Sequence, residues 1–175
     1  MPVSFRPDLT DVWIFRVTAG GLEILLLRRA PTKAVLPGLW QCVSGSLEDG
    51  ESITDGALRE LAEETGFGTT DIEAFFDLDQ INQFHEPSER AIVSSAVFAV
   101  RVRAGAEATI SHEHDAMRWL SPAAALELAI WPAYRESIHR IEENLLDPER
   151  AIWFELTLDG ERAKRSGVGG EIRPD

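Results

Sequence analysis

Apolar runs of period two alternate along the chain with stretches of helical period, and glycine, proline or short polar residues close off each one. Asp11 to Thr18 (DVWIFRVT) and Leu22 to Leu27 are rich in β-branched and aromatic residues. Ala19-Gly20-Gly21 separates them, which predicts a hairpin ending at Arg28-Arg29. Residues 1 to 9, with two prolines, read as an irregular lead-in. Ala30 to Gly38 reads as a loop, and Leu39 to Ser44 (LWQCVS) as a short extended run. Ile72 to Phe84 reads as a strand interrupted by a polar turn, followed by a loop at His85 to Glu89. Arg90 to Val102 is the longest apolar run and predicts a central strand in a sheet covered on both faces. Met117 to Leu120 predicts a short strand. Ala151 to Leu158 predicts an extra one that pairs with a sheet edge or with another subunit. Left exposed, that last strand would invite a homodimer by edge pairing.

Two longer stretches have helical period. The first covers residues 53 to 65, with Ser52 as N-cap, Asp55 three residues on as a short-armed capping box, and Gly66 where a left-handed C-terminal residue is wanted. The second, Ala129 to Leu146, carries an apolar stripe at Ile138, Ile141 and Leu145. Ser121-Pro122 opens a shorter helix. The second long helix is expected on the opposite sheet face from the first, giving an α/β protein of three layers. Trp131, Tyr134 and Arg135, near its start, either border a substrate or pack in the core.

At 175 residues the chain is long enough for one domain, read here as residues 1 to 146, with 147 to 175 as an extension of one strand and a mobile tail. The formal net charge of −13 argues against a nucleic-acid partner, which needs a basic surface. It does not argue against a phosphorylated small molecule, because a bound metal inverts the local field. No apolar run approaches the roughly 20 residues that a membrane span needs, and MPVSFRPDLT has no apolar signal core. The expectation is a cytoplasmic protein. The lone Cys42 leaves no intramolecular disulfide and reads as a small buried hydrophobe.

The first helix carries the candidate chemistry. Glu60, Glu63 and Glu64 fall on one face, with Leu58, Leu61, Ala62 and Thr65 opposite. Carboxylates at i, i+3 and i+4 repel each other unless a cation compensates, and Arg59 supplies only one charge. Hard oxygen ligands clustered this way suit Mg²⁺ or Mn²⁺, with waters and substrate phosphates completing the shell. The plainer alternative is a solvated acidic face. An arginine at the end of the Leu22 to Leu27 strand, beside such a site, would clamp phosphate bidentately. His112 and His114 share one side of a strand with Glu113 on the other, and with so few soft ligands a zinc site is disfavoured.

The wider spacing is more specific. Gly45-x5-Glu51-x7-Arg59-Glu60-Leu61-x-Glu63-Glu64-x-Gly66-Phe67 resembles the signature of the Nudix hydrolases at every fixed position. The run Leu39-Trp40-Gln41-Cys42-Val43-Ser44-Gly45-Ser46-Leu47-Glu48 resembles the branch that contains dihydroneopterin triphosphate pyrophosphohydrolase, including Ser44 where most members have a first glycine. The resemblance implies an α/β/α sandwich with a mixed central sheet. It also implies Mg²⁺-dependent hydrolysis of a phosphoanhydride.

The resemblance further implies that Glu60, Glu63 and Glu64 ligate metal with the Ser44 or Gly45 carbonyl, that Glu51 and Arg59 pair to hold the loop, and that Arg29 binds phosphate. Glu113, in His-Glu-His before Trp119-Leu120, matches an acidic residue that returns to the metal site as ligand or base. The base is left open among Glu63, Glu60 and Glu113. A nucleoside or pterin triphosphate is the leading expectation for the substrate. A dinucleoside polyphosphate or nucleotide sugar is the alternative. A non-catalytic nucleotide sensor and a structural acidic module are alternatives of other classes.

Overall fold

The structure, a computed structural model, describes residues 4–87 and 89–162. Strands β1 (Ser4–Thr18) and β2 (Gly21–Arg29) form the expected hairpin, in register from Ile14↔Leu25 to Thr18↔Gly21. Toward the start of β1 and the end of β2 the two part, and a pair of short strands fills the fork. Of these, β3 (Trp40–Gln41) pairs with β2, and β4 (Val43–Ser46) pairs with β1 from Val12↔Val43 to Leu9↔Ser46. On the far side of β1 lie β6 (Ala91–Val102), parallel to it, and then β5 (Ile72–Glu86), antiparallel to β6. β7 (His114–Leu120) flanks β2, and the two-residue β8 (Glu155–Leu156) closes the other edge on β5. The central sheet is therefore mixed, as expected.

Among the described residues, four helices cover it: α1 (Ile53–Thr65), α2 (Pro122–Leu128), α3 (Pro132–Arg140), which continues as a π turn over Ile141–Leu145, and α4 (Pro148–Ala151). Helix α1 buries Ala57 and Leu61 on one face of the sheet, against Val12, Ile14, Leu27 and Val43. Burying a leucine such as Leu61 contributes about 2 kcal/mol. The opposite face receives Ile138, Ile141 and Leu145, packed with Trp13, Phe15, Phe76 and Leu78. These are the three layers expected. Among the described residues no helix is long and apolar enough to cross a membrane.

Several expectations need correction. The lead-in is strand from Ser4, and its pairing with β6 shifts register between Arg6 and Leu9, where Pro7 has no N–H to give. The polar interruption in β5 is a bulge rather than a break. Asp79 adopts φ 51°, its N–H donates to Asp77 Oδ1 at 2.8 Å, and the register shifts between Asp77 and Gln80. The second long helix starts at Pro132, not Ala129, because Trp131 is extended and proline opens the first turn. Ala62 is exposed, not part of the apolar face.

The Ala151 to Leu158 strand shrinks to Glu155–Leu156. Asp147 caps α4 by accepting from the Glu149 N–H, and this short helix takes the residues before the strand, burying Ala151. The strand pairs with the chain's own β5, so this segment is folded onto its own sheet. The tail expected to be mobile begins within the extension and lies, from residue 163 on, outside the described residues.

Candidate active site

The fork in the sheet faces α1, with Ser44 and Gly45 against Glu64 and Glu60, and the segment between strand and helix is short. Ser52 caps α1 by accepting from the Asp55 N–H, and Gly66 ends it at φ 71°, donating its N–H to Ala62 O. Asp55 meets the Ser52 hydroxyl at 2.6 Å instead of reaching back to its N–H. Gly56, inside the helix, leaves room for the loop, since a Cβ there would meet Leu47 Cδ2 at 2.4 Å and Glu51 Oε2 at 2.9 Å.

Arg59 organises this loop. Its Nε and Nη2 donate to the two oxygens of Glu51 at 2.8 and 3.0 Å, and Nη2 also donates to Ser46 O at 2.9 Å. Nη1 donates to Glu60 Oε1 at 2.9 Å and Glu63 Oε2 at 3.3 Å. The Glu48 N–H donates to Glu51 as well. One guanidinium therefore holds three carboxylates and a strand carbonyl, which depresses the Glu51 carboxyl below its usual range.

The three box carboxylates do not share one environment. Glu63 is exposed, Glu60 is half-buried, and Glu64 is 4% exposed, turned to the sheet beside Leu61 and Thr65. Burial, with Glu60 and Glu113 nearby, pushes the Glu64 carboxyl up to about 8, opposed in part by the Ser44 N–H and Arg29. Burial also raises Glu60, against the pull of Arg59. Glu64 Oε2 has no hydrogen-bond partner among the described residues.

Glu113 reaches this cluster from the far side of the chain. The Ser111 N–H donates to Glu64 O at 3.1 Å, and the Thr109 N–H to Thr65 O at 2.8 Å, which ties this loop to the end of α1. The Ala30 N–H donates to Glu113 O at 2.8 Å, fixing the same loop to the end of β2. Lys33, at 2.8 Å, lowers the Glu113 carboxyl, so it stays ionised. His114 Nε2 lies 3.7 Å from Glu64 Oε2. This is not an ion pair, because burial lowers His114 to about 4 and keeps the ring neutral.

Ser44 and Gly45 sit on β4 in the fork, opposite Asp11 and Thr10. Glu60 lies across Gly45, where a Cβ would stand 2.0 Å from its carboxyl carbon. Arg29 ends β2 beside His114, and its Nε donates to Val35 O at 2.9 Å. Trp131 is 42% exposed, Tyr134 packs edge-on to Trp13 with centroids 5.3 Å apart, and Arg135 donates to Leu126 O at 2.5 Å. Cys42 is buried, as expected.

Sequence reading missed a buried polar seam behind the fork. Ser137 donates to Gln80 Oε1 at 3.0 Å, Gln80 Nε2 to Asn82 Oδ1 at 2.8 Å, and Asn82 Nδ2 to Asp11 Oδ2 at 3.0 Å. Burial raises Asp11, and the Ser44, Asn82 and Ser95 side chains favour its charged form. The alternation of β5 gave one hint, in placing two amides, Gln80 and Asn82, in line with Ala74, Phe76 and Leu78 on its buried face.

The NUDIX domain model matches residues 8–141. The chain belongs to the Nudix hydrolase family. A relative in Escherichia coli, CTP pyrophosphohydrolase, is 33% identical over 109 residues, covering 62% of this Nudix chain and 75% of that protein. An octanoyltransferase of Myxococcus xanthus is 36% identical over 142 residues, or 79% of this chain, which spans only 38% of that protein's length. The structure of E. coli dihydroneopterin triphosphate pyrophosphohydrolase superposes with a TM-score of 0.64 at 25% identity, covering 79% of this chain and 97% of that one.

The family implies a divalent metal, and the donor set fits one. Around the buried, unpartnered Glu64 oxygen stand the carboxylates of Glu60 and Glu113, and the neighbouring histidine is neutral. Among the described residues no three His, Cys, Asp or Glu side chains form a ready-made cage. Mg²⁺ needs none, since it takes one or two carboxylates and completes its shell with waters and phosphate oxygens.

Proposed function

We propose that this Nudix enzyme is a Mg²⁺-dependent pyrophosphohydrolase that cleaves a nucleoside or pterin triphosphate to the monophosphate and pyrophosphate. One observation carries the reading. Glu64 is a carboxylate buried beside Glu60 and Glu113, in a setting that opposes its ionisation until a cation arrives. Glu60 and Glu64 would hold the metal, with Glu63, Glu113 and the Ser44 or Gly45 carbonyl as further donors. Once bound, Mg²⁺ would neutralise phosphate charge and lower the pKa of a bound water.

The chain's own residues supply the rest. Arg29 has two guanidinium nitrogens beyond the one given to Val35 O, and these can bind phosphate oxygen. Arg59 and Glu51 keep the loop docked so that Glu60 stays over Gly45. The water oxygen bonds to phosphorus, the bridging P–O bond between the α and β phosphates breaks, and its electrons leave with pyrophosphate. The water proton passes to a carboxylate. Glu113 and Glu63 are the more accessible candidates, and Glu60 is the third.

The names of the CTP and dihydroneopterin triphosphate enzymes support the triphosphate class. The net charge of −13 favours a small cytoplasmic substrate over nucleic acid. We take residues 1 to 146 as the catalytic unit, with 147 onward as an extension. An acyl-transfer reading by analogy with the octanoyltransferase finds no support in Cys42, whose thiol is buried and pushed well above its usual value.

The test is pyrophosphate and phosphate release from nucleoside triphosphates, dihydroneopterin triphosphate, a dinucleoside polyphosphate and a nucleotide sugar. Each is run with Mg²⁺, Mn²⁺ or EDTA, on wild type and Glu64→Gln. Metal-dependent pyrophosphate release that collapses in the variant is expected. Nucleotide binding without turnover on the whole panel would replace this reading with the sensor.

A further inference from the structure

Three buried side-chain atoms that have no hydrogen-bond partner among the described residues meet at one place. They are Glu64 Oε2 and the two ring nitrogens of His114. The His114 side chain is 1% exposed, and its Nε2 stands 3.7 Å from Glu64 Oε2. That distance is too long for a hydrogen bond and too short for a water molecule to stand between the two atoms. Polar atoms left unanswered this deep in a protein cost stability, so their presence calls for a use.

The backbone holds the two groups in place. The Ser111 N–H donates to Glu64 O at 3.1 Å, and the His114 N–H donates to Ser111 O, also at 3.1 Å. Ser111 thus ties the backbones of both residues together. His114 also opens β7, opposite Arg29 in the ladder with β2, which fixes it on a strand. A movement of less than about 1 Å would bring Nε2 and Oε2 within hydrogen-bond range. An ionised carboxylate has about four acceptor positions. Oε2 can therefore accept a ring N–H on one side while Glu64 keeps positions free for a cation.

We propose that His114 is a positioning residue for Glu64: in the metal-loaded site its ring N–H donates to Oε2 and sets the orientation in which that carboxylate ligates. The inference rests on the reading that Glu64 holds a divalent cation. His114 touches neither metal nor substrate in this role, and acts through the carboxylate it braces. Groups that brace a metal ligand in this way are worth about tenfold to a hundredfold in metal affinity. The unpartnered nitrogens then weigh on the metal-free chain, and one of them is answered in the loaded one.

The experiment is calorimetric titration of Mn²⁺ into wild type, His114→Leu, His114→Gln and Glu64→Gln, with thermal melts of each in EDTA. Leucine is close to histidine in size and has no polar side-chain atom, and glutamine keeps an N–H at about the reach of Nε2. His114→Leu is expected to melt in EDTA at the wild-type temperature or a few degrees above it, and to bind Mn²⁺ about tenfold or more weakly. His114→Gln is expected to recover part of that affinity. His114→Phe takes the place of the leucine variant if the latter does not fold. A histidine that only packs predicts the reverse in His114→Leu, a lower melting temperature with wild-type affinity, and that result would overturn the proposal. If the leucine variant loses both stability and affinity, recovered affinity in His114→Gln supports the proposal and no recovery overturns it. Unchanged Mn²⁺ binding in Glu64→Gln would remove the ligand reading and this inference with it. Weakened binding in Glu64→Gln beside wild-type binding in His114→Leu would remove this inference alone.

Discussion

Glu60 and Gly45 are packed so closely that no side chain fits between them: a single carbon added at Gly45 would stand 2.0 Å from the Glu60 carboxyl carbon and 2.2 and 2.3 Å from its oxygens. The obstructed group is the end of a flexible side chain, so it would swing away at little cost to the fold. Gly45→Ala is therefore expected to keep the melting temperature within a few degrees while turnover falls by about a hundredfold, the scale of losing one positioned charge at a reacting centre. Steady-state kinetics beside a thermal melt measure both, and a variant with near wild-type turnover would remove Glu60 from the site.

Glu64 is buried where its ionisation works against the folded state. Its carboxyl is raised to about 8 in the folded chain and titrates near 4.3 when unfolded. Between those values the folded chain holds a proton that the unfolded chain has lost. Its contribution is therefore full below the unfolded value, declines as pH rises through this window, and levels off above 8. Without metal, the chain is expected to grow less stable from about pH 4.5 to 8 on this account, by a few kcal/mol. Glu64→Gln is expected to flatten that slope and raise the melting temperature at pH 8. Urea unfolding in EDTA across the range checks the sign.

The same group links metal to protons. A cation at Glu64 would favour its ionised form, so binding of Mg²⁺ is expected to release up to one proton from this group, approaching that limit as the pH falls below 8. Titrations at pH 6.5 in two buffers of different ionisation enthalpy are expected to show that release in wild type and much less of it in Glu64→Gln. Equal proton release from the two proteins would count against Glu64 as a ligand.

Arg59 is the clasp of the loop. Arg59→Ala strips Glu51, Glu60, Glu63 and Ser46 O of a shared donor and leaves like charges facing each other. Lower melting temperature, faster proteolysis between Ser46 and Ser52 and loss of turnover are expected together. Arg59→Lys, lacking the fork, is expected to restore part of the stability and little of the turnover. A loop that stays protected from protease in Arg59→Ala would show that the clasp is dispensable.

Behind the fork, Asp11 accepts from Asn82 in a buried setting. Asp11→Ala leaves that amide unanswered, and a loss of about 1–3 kcal/mol is expected. Asp11→Asn, which keeps an acceptor, is expected to lose less. Denaturant unfolding of the two variants ranks them, and the reverse order would mean that the charge, not the hydrogen bond, matters.

Much of α1 was legible because its signals are local. The Ser52 cap, the Gly66 stop and the spacing from Gly45 to Gly66 depend only on neighbours in sequence, and the structure shows the same bounds. The stripe of Ile138, Ile141 and Leu145 was legible for the same reason, although the π turn that carries its second half was not. Features decided by distant partners stayed hidden. Residues 4 to 10 are strand because β6 and β4 offer edges to pair with. Helical angle alone grouped Glu64 with Glu60 and Glu63, yet the sheet buries the first and leaves the last in solvent. The pairing of Arg28 with Asp115 spans 87 residues.

The fork between β1 and β2 has a consequence for motion. The strand that bears Ser44 and Gly45 is hydrogen-bonded to β1, the same strand whose other edge joins β6 at the centre of the sheet. Those of its amides that bond to β1 exchange only when that pairing opens, so they should be protected longer than the amides of the neighbouring loops. The surrounding loops at 30–38 and 48–52 are held by turns and side chains such as Arg29 and Arg59 rather than by ladder pairing. Deuterium would enter those rims in an early phase and the β4 floor in the last, so substrates would meet a stiff anvil inside a pliable collar.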